Sequence, residues 1–159
     1  MPRRILIVEA DARRAEELFV FFHREARSLE GERYEADIAT CVAQAIEKGH
    51  STIFDCVIMD VNLPEMHGYE AVRLMRSIGS DLPIILVGAD NTAELEAKVR
   101  EQNVYYYHLT SFDGKELSQA VESVFEKLSR AAKSKADMGA GGRISLKPLR
   151  LFAQRDKHN

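Results

Sequence analysis

Two carboxylates that follow apolar segments are the residues of this 159-residue chain best placed to do chemistry. Asp60 follows the run Cys56–Met59, and Glu9 follows the run Ile5–Val8, with Asp11 two residues further on. Carboxylates that converge on one place repel each other unless a cation joins them. Such oxygen ligands suit Mg²⁺, and a carboxylate can also be the nucleophile that forms an aspartyl-phosphate. The simpler alternative is that Asp60 only caps the turn that follows it.

Strands and helices predicted from the hydrophobic pattern must position these carboxylates. Uninterrupted apolar runs predict strands buried on both faces, and weaker strand signals occur at Tyr34–Ala39 and Val104–Leu109. The three uninterrupted runs are Ile5–Val8, Cys56–Met59 and Ile84–Val87. Amphipathic stretches between them predict helices, such as Ala15–Ala26 and Leu117–Leu128, the latter after a predicted N-cap at Asp113. The β–α order repeats five times, which predicts one parallel sheet with helices on both faces and ligands at the carboxyl ends of its strands.

The segment around Asp60 is the most specific motif in the chain. Asp60 is followed by Val-Asn-Leu-Pro-Glu-Met-His-Gly, and a helical pattern begins at that glycine, Gly68. Together with Ile5–Asp11, the segment Asp55–Gly68 resembles the receiver domain of bacterial two-component response regulators. The resemblance covers residues 3–130. It implies an α/β, flavodoxin-like receiver fold, with a doubly wound five-stranded parallel sheet in the order 2-1-3-4-5 and five helices.

The same resemblance implies roles for individual residues near the strand ends. Asp60 would be the phosphoacceptor, taking a phosphoryl group from a histidine kinase or a phosphotransfer protein. Glu9, Asp60 and the backbone carbonyl of Asn62 would bind Mg²⁺. Asp11 is a weaker candidate for the metal, because it could reach the site only if its loop shifts.

The chain departs from the family's pattern at three positions. Ala10 stands where the family has a second acidic residue that binds the metal directly, and the alanine side chain cannot ligate a metal. Gly88 replaces a Thr or Ser that would hydrogen-bond a phosphoryl oxygen, and Thr110 replaces a lysine. The switch aromatic of the fifth strand is retained as Tyr107. With Tyr105, it is a candidate for an output surface formed by the fourth helix, the fifth strand and the fifth helix.

These observations leave two functions open. In the first, the protein is a single-domain response regulator of a phosphorelay, phosphorylated on Asp60 and signalling through protein–protein contacts. In the second, it is a pseudo-receiver that acts as an adaptor without phosphorylation. We favour the first because the phosphoacceptor loop is intact. In either case we expect no enzyme beyond self-phosphorylation of Asp60 from a phosphodonor.

Charge divides the chain into an acidic body and a basic tail. Residues 1–126 carry a net charge of −10 and residues 127–159 carry +7, while the whole chain carries −3. We expect a receiver-like domain at residues 1–130. Residues 131–159 would then be a helix end, a Gly-rich linker and a basic tail, too short for a separate effector domain. No DNA-binding motif follows the receiver-like part, so we expect no nucleic-acid partner.

Apolar runs in the sequence are too short for a membrane span or for the core of a secretory signal. We therefore expect a cytoplasmic protein without a membrane partner. The sequence leaves the oligomeric state open, a homodimer included.

Overall fold

The computed structural model describes residues 2–28, 31–76, 82–88, 97, 105–108 and 114–138. Its elements, in chain order, are β1 (Arg3–Val8), α1 (Ala12–Val20), β2 (Tyr34–Ala39), α2 (Val42–Ser51), β3 (Cys56–Asp60), α3 (Gly68–Arg76), β4 (Ile84–Gly88), β5 (Tyr105–His108) and the long helix Gly114–Met138. Apart from residue 97, the predicted helix between β4 and β5 lies outside the described residues, as do Asp113 and the tail from residue 139. No described helix combines the length and apolar character needed to cross a bilayer.

The strands form one sheet in the order β2-β1-β3-β4-β5, and every neighbouring pair is parallel. This is the strand order that the resemblance implied, and the doubly wound α/β fold class is confirmed. Because parallel strands end at the same edge of a sheet, the ends of β1, β3 and β4 lie side by side. The register sets Val8 beside Met59 and Asp60 beside Val87. The carboxyl edge of the sheet is therefore where the predicted site residues meet.

Alternate residues of the central strands point into two separate apolar cores, one on each face of the sheet. In β1, Ile5 and Ile7 pack on the face covered by α1 and the long helix, while Leu6 and Val8 pack on the face covered by α2 and α3. A strand covered on both faces has no polar position to alternate with apolar ones. This double coverage explains the uninterrupted apolar runs of the sequence.

The first helix ends differently from the regular helix that the periodicity predicts for Ala15–Ala26. After Val20 it continues as a π-helical turn, Phe21–Glu25, closed by a hydrogen bond of 2.9 Å from the Ala26 N–H to the Phe21 carbonyl. The wider turn keeps Phe22 and Ala26 in the same core. There the ring of Phe22 meets Tyr34 edge to face, with 5.6 Å between ring centroids. Packing of Phe22 thus accompanies a local change of helix type.

A group of polar side chains, the Glu122 cluster, joins β1, β2 and the long helix at the amino edge of the sheet. Arg3 Nη1 donates to both carboxylate oxygens of Glu122, at 2.9 and 2.8 Å. The Tyr34 hydroxyl donates to Oε1 of the same carboxylate, and the Arg3 guanidinium lies 4.0 Å from the ring centroid of Phe125. Burial raises the pKa of the Tyr34 hydroxyl further above its ordinary value, so it stays a neutral donor. These contacts satisfy a carboxylate placed within an otherwise apolar helix face.

Candidate functional site

The structure brings Asp60 and Glu9 together at the carboxyl edge of the sheet. Asp60 is the last residue of β3, Glu9 follows the neighbouring strand β1, and the two residues are only 9% and 6% exposed. Asp60 Oδ1 accepts a hydrogen bond of 2.8 Å from the Asn62 N–H. Glu9 Oε1 accepts one of 3.1 Å from the Asp11 N–H. Two buried carboxylates are therefore oriented by backbone amides of the loops that follow their strands.

A cation that the sequence analysis missed, Arg14, lies between these carboxylates. Its Nη2 atom is 3.2 Å from Glu9 Oε1 and 3.3 Å from Asp60 Oδ2. Arg14 belongs to the first turn of α1, where side chains lean toward the helix N-terminus and so toward the strand ends. We call Arg14, Glu9 and Asp60 the Arg14 cluster. The signal in the sequence is a long cationic side chain three residues after Asp11, in the first turn of the helix that follows β1.

Glu9 carries the strongest electrostatic perturbation of this cluster. Burial of its carboxyl raises its pKa from 4.5 to about 7, and a side-chain hydrogen bond with Asp60 and the charge of Asp60 add to the rise. The Asp11 N–H and the Arg14 charge act in the opposite direction. The Glu9 carboxyl therefore keeps its proton to a higher pH than an exposed glutamate does.

Asp11, the weaker metal candidate, lies at the N-cap of α1. Its Oδ1 atom accepts hydrogen bonds from the backbone N–H groups of Arg13 and Arg14, at 3.0 and 3.1 Å. These two hydrogen bonds favour the ionised carboxylate, and the pKa of Asp11 lies below its ordinary value. Asp11 thus fixes the helical turn from which Arg14 projects.

The side chains at this edge do not fit Mg²⁺ as they are arranged. Within the described part of the chain, no group of three or more Asp, Glu, His or Cys residues is placed to hold a metal ion. Ala10 offers no ligand, Asp11 caps its helix, and Glu9 and Asp60 both contact Arg14. A guanidinium only donates hydrogen bonds, so it cannot ligate a metal, and its charge repels a divalent cation.

The loop after Asp60 is held in place at two points. Asn62 and His67 form an isolated antiparallel bridge that closes the loop before α3 begins. Glu65 Oε1 accepts a hydrogen bond of 2.7 Å from the Val42 N–H, in the first turn of α2. Cys41, the N-cap residue of α2, makes no capping hydrogen bond with its side chain. The acceptor for the Val42 N–H comes instead from a distant loop. The phosphoacceptor-like loop is thus joined to a neighbouring helix.

The remaining predicted positions lie around β4 and β5. Gly88 is the last residue of β4, which pairs with β3 beside Asp60, so only backbone atoms are offered there. Tyr105 and Tyr107 belong to β5, the edge strand next to β4. Thr110 lies outside the described residues. The structure therefore places Gly88 near the Arg14 cluster and places both tyrosines on the neighbouring strand.

Comparison with known proteins agrees with this architecture. The family described as "Response regulator receiver domain" matches residues 5–122. Response regulator MprA of Mycolicibacterium vanbaalenii is 36% identical over 95 residues, which are 59% of this chain and 38% of that protein. The structure of Vibrio cholerae chemotaxis protein CheY4 matches 82% of this chain and 98% of its own, with a TM-score of 0.64 and 20% identity.

A second solved structure gives the same fold. A two-component response regulator from Clostridium difficile matches 79% of this chain and 98% of its own, with a TM-score of 0.68 and 18% identity. The chain spans well under half the length of MprA, the curated relative that it matches. The family match covers most of this chain, from β1 into the long helix. The chain belongs to the response regulator receiver domain family.

Proposed function

We propose that this receiver domain accepts a phosphoryl group on Asp60 and works as a single-domain response regulator of a phosphorelay. Receiver domains interact with histidine kinases or phosphotransfer proteins, and in general they bind Mg²⁺ at the phosphorylation site. The observation that carries the proposal is the placement of Asp60. Its carboxylate ends β3 at the ligand-binding edge of the sheet, and the Asn62 N–H orients it within a closed loop.

The proposed transfer needs little from the protein beyond position and charge. One oxygen of the Asp60 carboxylate attacks the phosphorus of a phosphohistidine on the partner. A P–O bond forms as the P–N bond breaks, and the departing imidazole nitrogen keeps the electron pair and takes up a proton. Asp60 Oδ1 is held by the Asn62 N–H, which fixes the direction of the carboxylate. We propose no catalysis beyond this self-phosphorylation.

The contact of Arg14 with Asp60 favours a second candidate, a pseudo-receiver that binds partners without phosphorylation. The guanidinium gives Asp60 a counter-charge in the unmodified protein. Gly88 also lacks the hydroxyl that would bind a phosphoryl oxygen and pass the signal to Tyr107. In this alternative, Asp60 is not phosphorylated and output depends on the surface presented to a partner.

For both candidates we propose that output uses protein–protein contacts near β5 and the start of the long helix, in the cytoplasm. Tyr105 and Tyr107 lie on β5, and Lys115 is exposed in the first turn of the long helix. An edge strand next to an exposed helix start offers both backbone and charged groups to a partner. We propose no role for nucleic acid in this output.

Intact-mass measurement after incubation with acetyl phosphate or phosphoramidate tests the phosphoacceptor. The wild-type protein should gain the mass of one phosphoryl group, and Asp60→Asn should gain none. Asp55→Asn is the matched control, because Asp55 is exposed at the opposite end of β3, where it accepts from the Arg4 N–H at 2.7 Å. Absence of any gain in the wild type, with and without Mg²⁺, would exclude phosphorylation and leave the pseudo-receiver.

A further inference from the structure

Arg14 contacts both carboxylates of the site through one nitrogen atom. Nη2 lies 3.2 Å from Glu9 Oε1 and 3.3 Å from Asp60 Oδ2, which is the position expected of a cation shared by two carboxylates. The neighbouring Arg13 shows that this placement is specific. Arg13 is 90% exposed, and within the described residues it forms a long ion pair of 3.7 Å with Glu17, along the surface of α1.

Backbone hydrogen bonds fix the base of the Arg14 side chain. The Asp11 carboxylate accepts from the Arg14 N–H at 3.1 Å, and the Asp11 N–H donates to Glu9 at 3.1 Å. Asp11 therefore links the cation-bearing turn to one of the carboxylates that the cation contacts. An acidic residue used in this way holds a positive side chain at the site rather than a metal ion.

The guanidinium also retains the means to contact a further anion. The Arg14 side chain is 62% exposed although its Nη2 atom lies close to two carboxylates. A guanidinium has five N–H donors in a planar fork that matches the oxygens of a phosphoryl group. Gly88, which follows the residue paired with Asp60, contributes no side chain of its own to this edge of the sheet.

We propose that Arg14 is the resident cation of this site and takes the place of the divalent metal. Asp60 then accepts a phosphoryl group, or binds the phosphoryl mimic beryllofluoride, without Mg²⁺. The second statement rests on the proposed phosphorylation of Asp60, whereas the first concerns metal binding alone. Removal of the Arg14 charge should convert the site into one that binds Mg²⁺ through Glu9, Asp60 and the backbone carbonyl of Asn62.

Calorimetric titration with MgCl₂ tests the first statement without any phosphodonor. The wild type, Arg14→Lys and Arg13→Ala should show no saturable binding at millimolar Mg²⁺. Arg14→Ala should bind Mg²⁺ at least roughly tenfold more tightly, because a positive charge in contact with two of the proposed ligands is removed. Saturable Mg²⁺ binding by the wild type as tight as that of Arg14→Ala would overturn the proposal, as would equal absence of binding in both folded proteins.

Phosphorylation by acetyl phosphate in excess EDTA tests the second statement. The wild type should gain one phosphoryl mass whether or not Mg²⁺ is present, while Arg14→Ala should need Mg²⁺. Strict Mg²⁺ dependence of the wild type would overturn the resident-cation proposal. If no protein is labelled under any condition but Arg14→Ala gains Mg²⁺ affinity, the phosphoacceptor function fails and Arg14 as resident cation stands. Arg13→Ala should match the wild type, and its circular dichroism should match that of Arg14→Ala.

Discussion

An arginine contacts buried carboxylate in the Glu122 cluster, at the amino edge of the sheet, and again in the Arg14 cluster, at the carboxyl edge. The two clusters differ in how closely positive charge balances negative charge. In the Glu122 cluster, Arg3 contacts both oxygens of one carboxylate at 2.8 and 2.9 Å, and the Tyr34 hydroxyl adds a third donor. In the Arg14 cluster, one nitrogen serves two carboxylates at 3.2 and 3.3 Å. Arg3 is 30% exposed and Arg14 is 62% exposed.

The difference shows how the same residue types can balance their charges at one edge of the sheet and leave excess negative charge at the other. Glu122 accepts hydrogen bonds from Arg3 and from the Tyr34 hydroxyl, so in its cluster one guanidinium charge faces one carboxylate charge. Glu9 and Asp60 together have more negative charge than one guanidinium balances, and a proton makes up the difference. A site with excess charge and an exposed cation responds to pH, ligands and modification. A site whose charges are balanced contributes mainly to stability.

Loss of Glu122 should have the largest effect on stability. Glu122→Leu leaves the Arg3 charge and the Tyr34 hydroxyl without their acceptor, and we expect a loss of about 4 kcal/mol in the free energy of unfolding. Urea denaturation measures this loss. Glu126→Leu, at an exposed position one turn further along the same helix, is the control and should change stability little. A loss below about 1 kcal/mol would contradict the structural role of the Glu122 cluster.

Glu9 should make stability fall as pH rises. Its pKa is raised from 4.5 to about 7 in the folded protein, so between these values the folded state binds more protons than the unfolded state. Its contribution is therefore present below pH 4.5 and lost as pH rises through 7, a change of up to about 3 kcal/mol. The charged groups that face Glu9 are Asp60 from β3 and Arg14 from α1.

Urea denaturation of wild type and Glu9→Gln across this pH range isolates the contribution of Glu9. The stability difference between the two proteins should change steadily with pH, because glutamine cannot take up the proton. Glu16→Gln, at an exposed position on α1, should follow the wild type at every pH. Parallel curves for wild type and Glu9→Gln would mean that Glu9 titrates at its ordinary value.

Loss of Arg14 should have the smallest effect on stability. Arg14→Gln removes a cation that is more than half exposed, and Glu9 can take up a proton in its place, so we expect a loss of about 1 kcal/mol or less. Because the Arg14 charge lowers the pKa of Glu9, the substitution should move the pH dependence of stability to higher pH. A loss as large as that of Glu122→Leu would remove the contrast between the two clusters. Arg13→Gln serves as the control.

Local sequence patterns predicted the sheet well because they record burial directly. Strands covered on both faces appear in the sequence as apolar runs. The loop after Asp60 appears as a short motif from Asp60 to Gly68. The contacts of Arg14 were not predictable in this way, since they depend on how α1 is tilted over the strand ends. Arg3 and Glu122 are 119 positions apart in the chain, so no local hydrophobic pattern predicts their contact. The π-helical turn carries Phe22, whose ring packs against Tyr34, again a contact between distant segments.

The hydrogen bond from the Val42 amide to Glu65 makes hydrogen exchange at Val42 sensitive to the position of the loop that follows Asp60. An amide at a helix start normally exchanges its hydrogen with water quickly unless a cap protects it. Here the protecting acceptor belongs to the loop that follows Asp60, 23 residues further along the chain. Hydrogen exchange at this one amide therefore measures how often that loop opens, and a partner or modification that moves the loop should be detected at α2 first.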